Sequence, residues 1–229
     1  MARSRFSPCL QVLPKAQQDI WPRLQPVRQL GFVLYGGTAI ALRLGHRQSV
    51  DFDFFNERPL DKAGIVEALP FLAEATVLQD RPNTWTLLAR PAALEEVAVK
   101  LSFFGTIGFG RYGEPQCTDD GIMQVASLDD LMATKVKVIL QRVEAKDYLD
   151  IAAMLRAGVS LEKGLAIARQ MFGPNFQPSE SMKAMTWYEG GDLHLLGDAD
   201  KELLALRAAA VRALPTIERA NLSLALQEN

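Results

Sequence analysis

The sequence predicts an α/β (α+β) fold: a mixed-sheet core over residues 1–120, with an N-terminal helix, followed by a helical region over residues 121–229 packed on that core. Three observations predict it. Up to about residue 120, short β-rich runs alternate with helical segments. Beyond that point almost every segment reads as helix. Between the two lies GTIGFGRYGEPQCTDDG (105–121), rich in glycine and polar groups as a loop is. No internal repeat and no low-complexity linker interrupts the pattern.

In chain order, residues 16–30 read as a helix interrupted or delayed by Pro22 and Pro26. The runs FVLYG (32–36), VDFDFF (50–55), TWTLLA (84–89) and VAVKLSFF (97–104) read as strands. AIALRL (39–44) and KAGIVEALPFLAE (62–74) read as the helices between them. Ser127 opens the next helix, with Asp130 three residues on as a short variant of a capping box, and the helix runs through LMATKVKVILQRV to residue 143. Further helices are predicted at 160–171 and 199–213. FGPNFQPSES (172–181), with two prolines and a glycine, reads as a connection.

Composition narrows the function classes. A formal charge of −2, with 23% charged residues, sets up no strong field toward nucleic acid or membrane, although a local basic groove is compatible with it. An apolar content of 48% excludes wholesale disorder, and no run approaches the roughly 20 apolar residues of a membrane-spanning helix. The start, MARSRFSPCLQVLPKAQQ, has no apolar block of signal-peptide type, so cytoplasmic residence is the default expectation. Cys9 and Cys117 lie far apart, form no metal-ligand spacing, and read as small hydrophobes.

The chemistry concentrates in FVLYGGTAIALRLGHRQSVDFDFF. An apolar strand ends at Gly36 and Gly37, and Thr38 stands where a helix cap is expected. Glycines let the backbone approach a ligand closely, and a helix N-terminus offers unpaired N–H groups to a phosphate, so a triphosphate suits this turn. Gly45 fits a left-handed C-cap, after which the chain returns as the strand carrying Asp51 and Asp53. Residues two apart on a strand share a face, so the two carboxylates project together while Val50, Phe52 and Phe54 face the other way. Such a pair repels itself unless one member is protonated or a cation intervenes. Hard oxygen ligands favour Mg2+ or Mn2+, which in phosphoryl transfer bridges phosphate oxygens. A GG turn alone is usually only a turn, and a lone DxD is usually a solvated strand face; joined by one short helix they form a specific combination.

The segment GGTAIALRLGHRQSVDFDFF (36–55) resembles the signature of the AbiEii/AbiGii family of nucleotidyltransferase-like toxins, within the polymerase-β-like nucleotidyltransferase superfamily. The resemblance extends to SLDDLMATKVKVILQRVEAKDYLDIAAML (127–155), where that family carries a helix lysine followed by a basic-Asp-x-x-Asp motif. It implies a two-metal nucleotidyl-transfer fold, a helical C-terminal region and a cognate antitoxin as partner.

Placed at ~100° intervals around a helix axis, Met132, Val136, Ile139 and Val143 share a narrow arc that should face the core, while Lys135 and Arg142 lie together at its edge and Lys137 points to solvent. The two cations at the edge read either as snorkelling stems and partners of structural carboxylates, or as phosphate ligands, with Lys135 against the triphosphate. In KDYLD, Asp147 and Asp150 share a helical face. Residues alone leave a surface acidic pair or a helix cap open; the resemblance favours Asp147 as a site residue that orients the lysine or a metal, with Asp150 second.

One departure from the superfamily pattern stands out. Many such enzymes carry a third carboxylate on a later strand, and VAVKLSFF offers Lys100 and Ser102 there. Either Asp147 completes the site, or two carboxylates suffice with water and substrate, or activity has been lost. Among weaker candidates, Arg47 is preferred over His46 as a phosphate ligand. His194 reads as a surface or core histidine, and Trp85, Trp187 and Tyr188 as core. The expectation is therefore a nucleotidyltransferase, and the toxin of a type IV-like toxin–antitoxin system. It takes a nucleoside triphosphate at Gly36, Gly37 and Thr38, with Arg47 and Arg142 assisting, and transfers a nucleotidyl group to tRNA or protein using Asp51, Asp53, Lys135 and Asp147. A catalytically silent binding module and a small-molecule nucleotidyltransferase are the alternatives.

Overall fold

The computed structural model describes residues 4–90, 97–218 and 220–226. They fall into two compact units, Met1–Ala126 with Asn221–Asn229, and Ser127–Ala220. The division comes six residues after the expected 120/121 boundary because a last short strand extends the sheet to Val125, and the chain's end returns to the first unit.

In chain order the first unit holds β1 (Arg5–Phe6), α1 (Lys15–Ile20), α2 (Gln25–Gln29), β2 (Val33–Tyr35), α3 (Gly36–Leu44), β3 (Asp51–Phe55), α4 (Lys62–Ala68), β4 (Thr76–Arg81), β5 (Thr84–Ala89), β6 (Val99–Phe104), β7 (Gln116–Thr118) and β8 (Gln124–Val125). Among the described residues the strands form one mixed sheet of eight in the order β1-β7-β8-β2-β3-β6-β5-β4. β3 lies inside it, antiparallel to β2 and parallel to β6. Its inward residues Phe52 and Phe54 are fully buried and pack with Phe103 of β6 and with Trp21. This aromatic layer fixes which face of β3 points away from the core, because a one-residue slip would exchange phenylalanines for aspartates.

Proline chemistry explains two departures from the expected helices. The single helix expected over 62–74 stops at Ala68, and Pro70 opens a separate 3-10 turn to Glu74. Around Pro22 and Pro26 the expected interruption takes the form of a 3-10 turn, Trp21–Leu24, between α1 and α2. The expected loop 105–121 contains β7 and a bridge between Arg111 and Asn221. There the buried Arg111 guanidinium donates to the carbonyls of Ser223 and Ala225 and pairs with Glu114, which pins the chain's end. Arg43 anchors α3: it donates to the carbonyls of Ala126 and Val125 (2.9 Å each) and lies 4.5 Å over the Phe6 ring. Burial lowers its pKa to about 10, so it remains a cation at neutral pH.

The second unit is helical: α5 (Leu128–Val138), α6 (Ala145–Arg156), α7 (Leu161–Phe172), α8 (Pro178–Ala184) and α9 (Asp198–Ala210). Ser127 caps α5 as expected, its hydroxyl accepting from the Asp130 N–H at 3.0 Å. Met132, Val136 and Ile139 form the buried stripe, but α5 ends at Val138, and Val143, 44% exposed, lies beyond it. The chain turns there beside Gly191, where a Cβ would stand 2.1 Å from the Val143 carbonyl oxygen. The segment 172–181, expected as a connection, contains the start of α8, because a proline in the first turn begins a helix rather than breaking one. Trp187, expected in the core, is 62% exposed, and no helix among the described residues is long and apolar enough to cross a membrane.

Helices α5 and α7 approach closely at Gly164, where an added Cβ would lie 2.3 Å from Met132 Cγ. In an open helix Gly→Ala is worth about +1 kcal/mol. Here Gly164→Ala is expected to lose about 1–3 kcal/mol by overpacking, read as a lower denaturation midpoint.

Candidate active site

The two aspartates of β3 stand where strand periodicity places them. Asp51 and Asp53 are half-buried, alternating with the fully buried Phe52 and Phe54. Val50, expected on the buried side, precedes the strand and is 52% exposed; its carbonyl accepts from Gln17 (2.8 Å). The parallel register with β6 sets Lys100 beside Asp51 and Ser102 beside Asp53, and β5 adds Thr86 beside Ser102. The outward face of three strands therefore carries an Asp51–Lys100 row and an Asp53–Ser102–Thr86 row, with Ser102 and Thr86 themselves buried.

Above Asp53 the chain leaves β2 and enters α3. Tyr35 is the register partner of Asp53, and the next residue, Gly36, has φ +74°. A Cβ at that position would stand 2.5 Å from Asp53 Oδ2, so only glycine lets the backbone rest against this carboxylate. Gly36→Ala therefore forces both a left-handed alanine, costing about 1–2 kcal/mol, and a displaced Asp53 carboxylate. A shift of that kind is expected to lower activity by about 10²-fold; turnover and a denaturation curve on the same variant check both halves.

Thr38 was expected to cap the helix. Instead the cap is Tyr35, and Thr38 is the third residue of α3. Its buried hydroxyl donates to the Asp51 carbonyl and accepts from Ser49 Oγ at 2.7 Å, tying the first turn of α3 to the start of β3. The Thr38 side chain thus braces the aspartate strand, while its backbone belongs to the first helical turn, whose N–H groups have no intrahelical acceptor. At the other end Gly45 takes the left-handed conformation (φ 67°, ψ 16°), as expected of a C-cap.

Lys100, which the sequence offers where a third acid was sought, forms an ion pair with Asp51: Nζ to Oδ2 is 3.1 Å, with the side chains 39% and 33% exposed. Register, which has no local sequence signal, is what brings these two residues together. Among the described residues no group of three or more His, Cys, Asp or Glu is arranged to hold a metal ion. The donor set is two carboxylates on one face. This fits Mg2+, which binds through one or two carboxylates and completes its shell with water and phosphate oxygens.

Within the helical unit, the predicted residues Lys135, Arg142 and Asp147 meet one another. Lys135 Nζ lies 2.6 Å from Asp147 Oδ1 and 2.6 Å from Asp150 Oδ2, and all three side chains are 5% exposed or less. Arg142 grips Asp147 with two nitrogens, Nε to Oδ2 at 2.7 Å and Nη2 to Oδ1 at 3.0 Å. Arg142 also lies 3.6 Å from Glu144 Oε2. Burial pushes the Asp147 carboxyl up, but the hydrogen bonds and charges of Arg142 and Lys135 together outweigh it and hold Asp147 below the usual carboxylate range. Asp147 is therefore a hydrogen-bonded anion that orients Lys135. Lys137, expected in solvent, is half-buried and donates to the Asn175 carbonyl (2.8 Å).

Arg47 donates to the Gln48 carbonyl in its own loop (2.8 Å). His46 is half-buried and His194 exposed, and Trp85 is buried as expected. Tyr188 is half-buried, its hydroxyl set between the Met185 and Lys201 carbonyls.

The family model described as "Nucleotidyl transferase AbiEii toxin, Type IV TA system" matches residues 25–177, a span that runs from α2 to the residue before α8 and takes in both β3 and the Lys135–Asp147 cluster. The protein aq_aa25 of Aquifex aeolicus (strain VF5), described as uncharacterized, is 29% identical over 184 residues, covering 77% of this chain and 84% of that protein. Among solved structures, MenT4, a nucleotidyltransferase toxin of Mycobacterium tuberculosis H37Rv, superposes with a TM-score of 0.56 at 13% identity, over 85% of this chain and 84% of that one; at this identity the likeness is one of fold.

Proposed function

The chain belongs to the AbiEii family of nucleotidyl transferase toxins of type IV toxin–antitoxin systems, and on that premise we propose that it transfers a nucleotidyl group from a nucleoside triphosphate to tRNA or protein in a Mg2+-dependent reaction. The observation that carries the reading is the placement of Asp51 and Asp53 on one face of β3, with Asp53 Oδ2 against the Gly36 backbone at the start of α3. A cognate antitoxin restrains the activity.

In the proposed reaction an acceptor hydroxyl oxygen forms a bond to the α-phosphorus, the bond from that phosphorus to the bridging oxygen breaks, pyrophosphate leaves and the hydroxyl proton passes to solvent. Asp51 and Asp53 would hold the metal, which when bound supplies positive charge to the phosphate oxygens. The N–H groups of Gly36, Gly37 and Thr38 at the start of α3 donate to the phosphate oxygens. Thr38 and Ser49 keep β3 in register beneath them. For Lys135, Asp147 and Arg142 the proposal keeps the family's assignment of Lys135 and Asp147 as site residues, with Asp147 and Asp150 fixing the lysine ammonium and Arg142 fixing Asp147. Arg47 is the further proposed phosphate contact.

The test supplies the purified chain with Mg2+ and each α-labelled triphosphate in turn, with a tRNA pool or a protein lysate as acceptor. Label on one acceptor class, removed by a metal chelator, supports the reading; no label on either class, with the chain folded, counts against it. A second reading, a silent binding module, draws on Lys100 at the position of a third acid; it predicts nucleotide binding without pyrophosphate release.

A further inference from the structure

The Asp51–Lys100 ion pair carries an inference that rests on the nucleotidyl-transfer reading and deepens it. Two-metal sites clamp two cations about 3.5–4 Å apart between shared carboxylates. In this chain the strand next to β3 contributes a cation where such a site needs a ligand for a second one. β6 runs parallel to β3 in continuous register from Asp51↔Lys100 to Phe55↔Phe104, so Lys100 and Ser102 are the β6 residues beside the two aspartates on their own face. Ser102 is 2% exposed and uncharged, whereas Lys100 reaches Asp51 Oδ2 at 3.1 Å and stays open enough to meet a ligand.

We propose that the Lys100 ammonium stands in for the second metal, so that the site binds one divalent cation, through Asp53 and the remaining oxygen of Asp51. A second divalent ion at Asp51 would have to displace the ammonium or stand beside it. Lys100 is in this account a positioning residue that acts through Asp51, supplying a fixed positive charge that needs no metal loading.

The experiment titrates the purified full chain with Mn2+ alone, following free Mn2+ by electron paramagnetic resonance, and compares wild type with Lys100→Asp, Lys100→Met and Asp53→Asn. Thermal melts confirm that each variant is folded. Wild type is expected to bind one Mn2+ per chain and Asp53→Asn none. Lys100→Met, with the competing ammonium gone, is expected to bind about 10- to 100-fold more tightly, the range that neighbours of metal ligands command. Lys100→Asp is expected to bind a second ion. If Lys100→Asp does not fold, the Lys100→Met affinity decides alone. Two ions on wild type, or Lys100 variants identical to wild type while Asp53→Asn loses binding, overturns the role of Lys100 and leaves the metal site standing. Equal binding by wild type and Asp53→Asn overturns the metal site itself, and this inference with it.

Discussion

Lys135→Met is expected to cost the Ser127–Ala220 unit about 3–5 kcal/mol of stability, the range for removing one partner from a buried ion cluster. The side chains of Asp147 and Asp150 are 0% exposed, and Lys135 is bonded to both. Methionine fills a similar volume but leaves Asp150 without its lysine and Asp147 with Arg142 alone. The opposite truncation is milder, since without Asp147 the lysine keeps Asp150, and Arg142, 46% exposed, can turn to water. The sign of the pH dependence follows from Asp147. Its folded pKa is depressed, so its contribution is fully present above the unfolded value of about 3.9 and is lost as pH falls through the folded value. Wild type is therefore expected to lose stability below about pH 4. Lys135→Met removes the lysine's charge and hydrogen bond, two of the causes that hold Asp147 low, so its carboxyl rises and mild acid should weaken the variant less than wild type. Denaturant midpoints at neutral and acid pH check both. Activity lost in a Lys135 variant has to be read against this unfolding.

Asp53→Asn is expected to show the reverse pattern: activity falls by on the order of 10³-fold, a size typical of removing a principal electrostatic contributor, while stability changes little. Asparagine keeps the shape that Gly36 packs against. Gain or neutrality in stability with loss of activity marks a residue kept for chemistry rather than folding. Asp51→Asn is expected to differ, because it also deprives Lys100 of its partner. Steady-state turnover and urea melts on the two asparagine variants separate these cases.

Much of this was legible in the sequence because it is written locally. The alternation of Phe52 and Phe54 with Asp51 and Asp53 declares a two-faced strand, Gly45 announces a left-handed cap, and Ser127 with Asp130 marks a helix start. The features that escaped depend on context that no window contains. Strand β4, TVLQDR, is exposed along its length at the sheet edge and has no buried face to produce alternation. The two-residue strands β1 and β8 exist only through their partners. Helical spacing put Lys135 and Arg142 at the edge of the core stripe, but that Asp147 binds both depends on the turn after α5, which the sequence ran through as helix. The Lys100–Asp51 pair spans 49 residues and follows from parallel register alone. Thr38 illustrates the opposite error: its residue type suited a cap, while the fold uses its hydroxyl as a brace.

The most direct test of nucleotidyl transfer at the β3 aspartates compares incorporation from α-labelled and γ-labelled triphosphate by wild type and by folded Asp53→Asn, each with Mg2+ and the acceptor that takes label. The account predicts α-label on the acceptor with wild type, none from the γ-position, and loss of labelling in Asp53→Asn. Transfer of the γ-label, or undiminished α-labelling by Asp53→Asn, would contradict it.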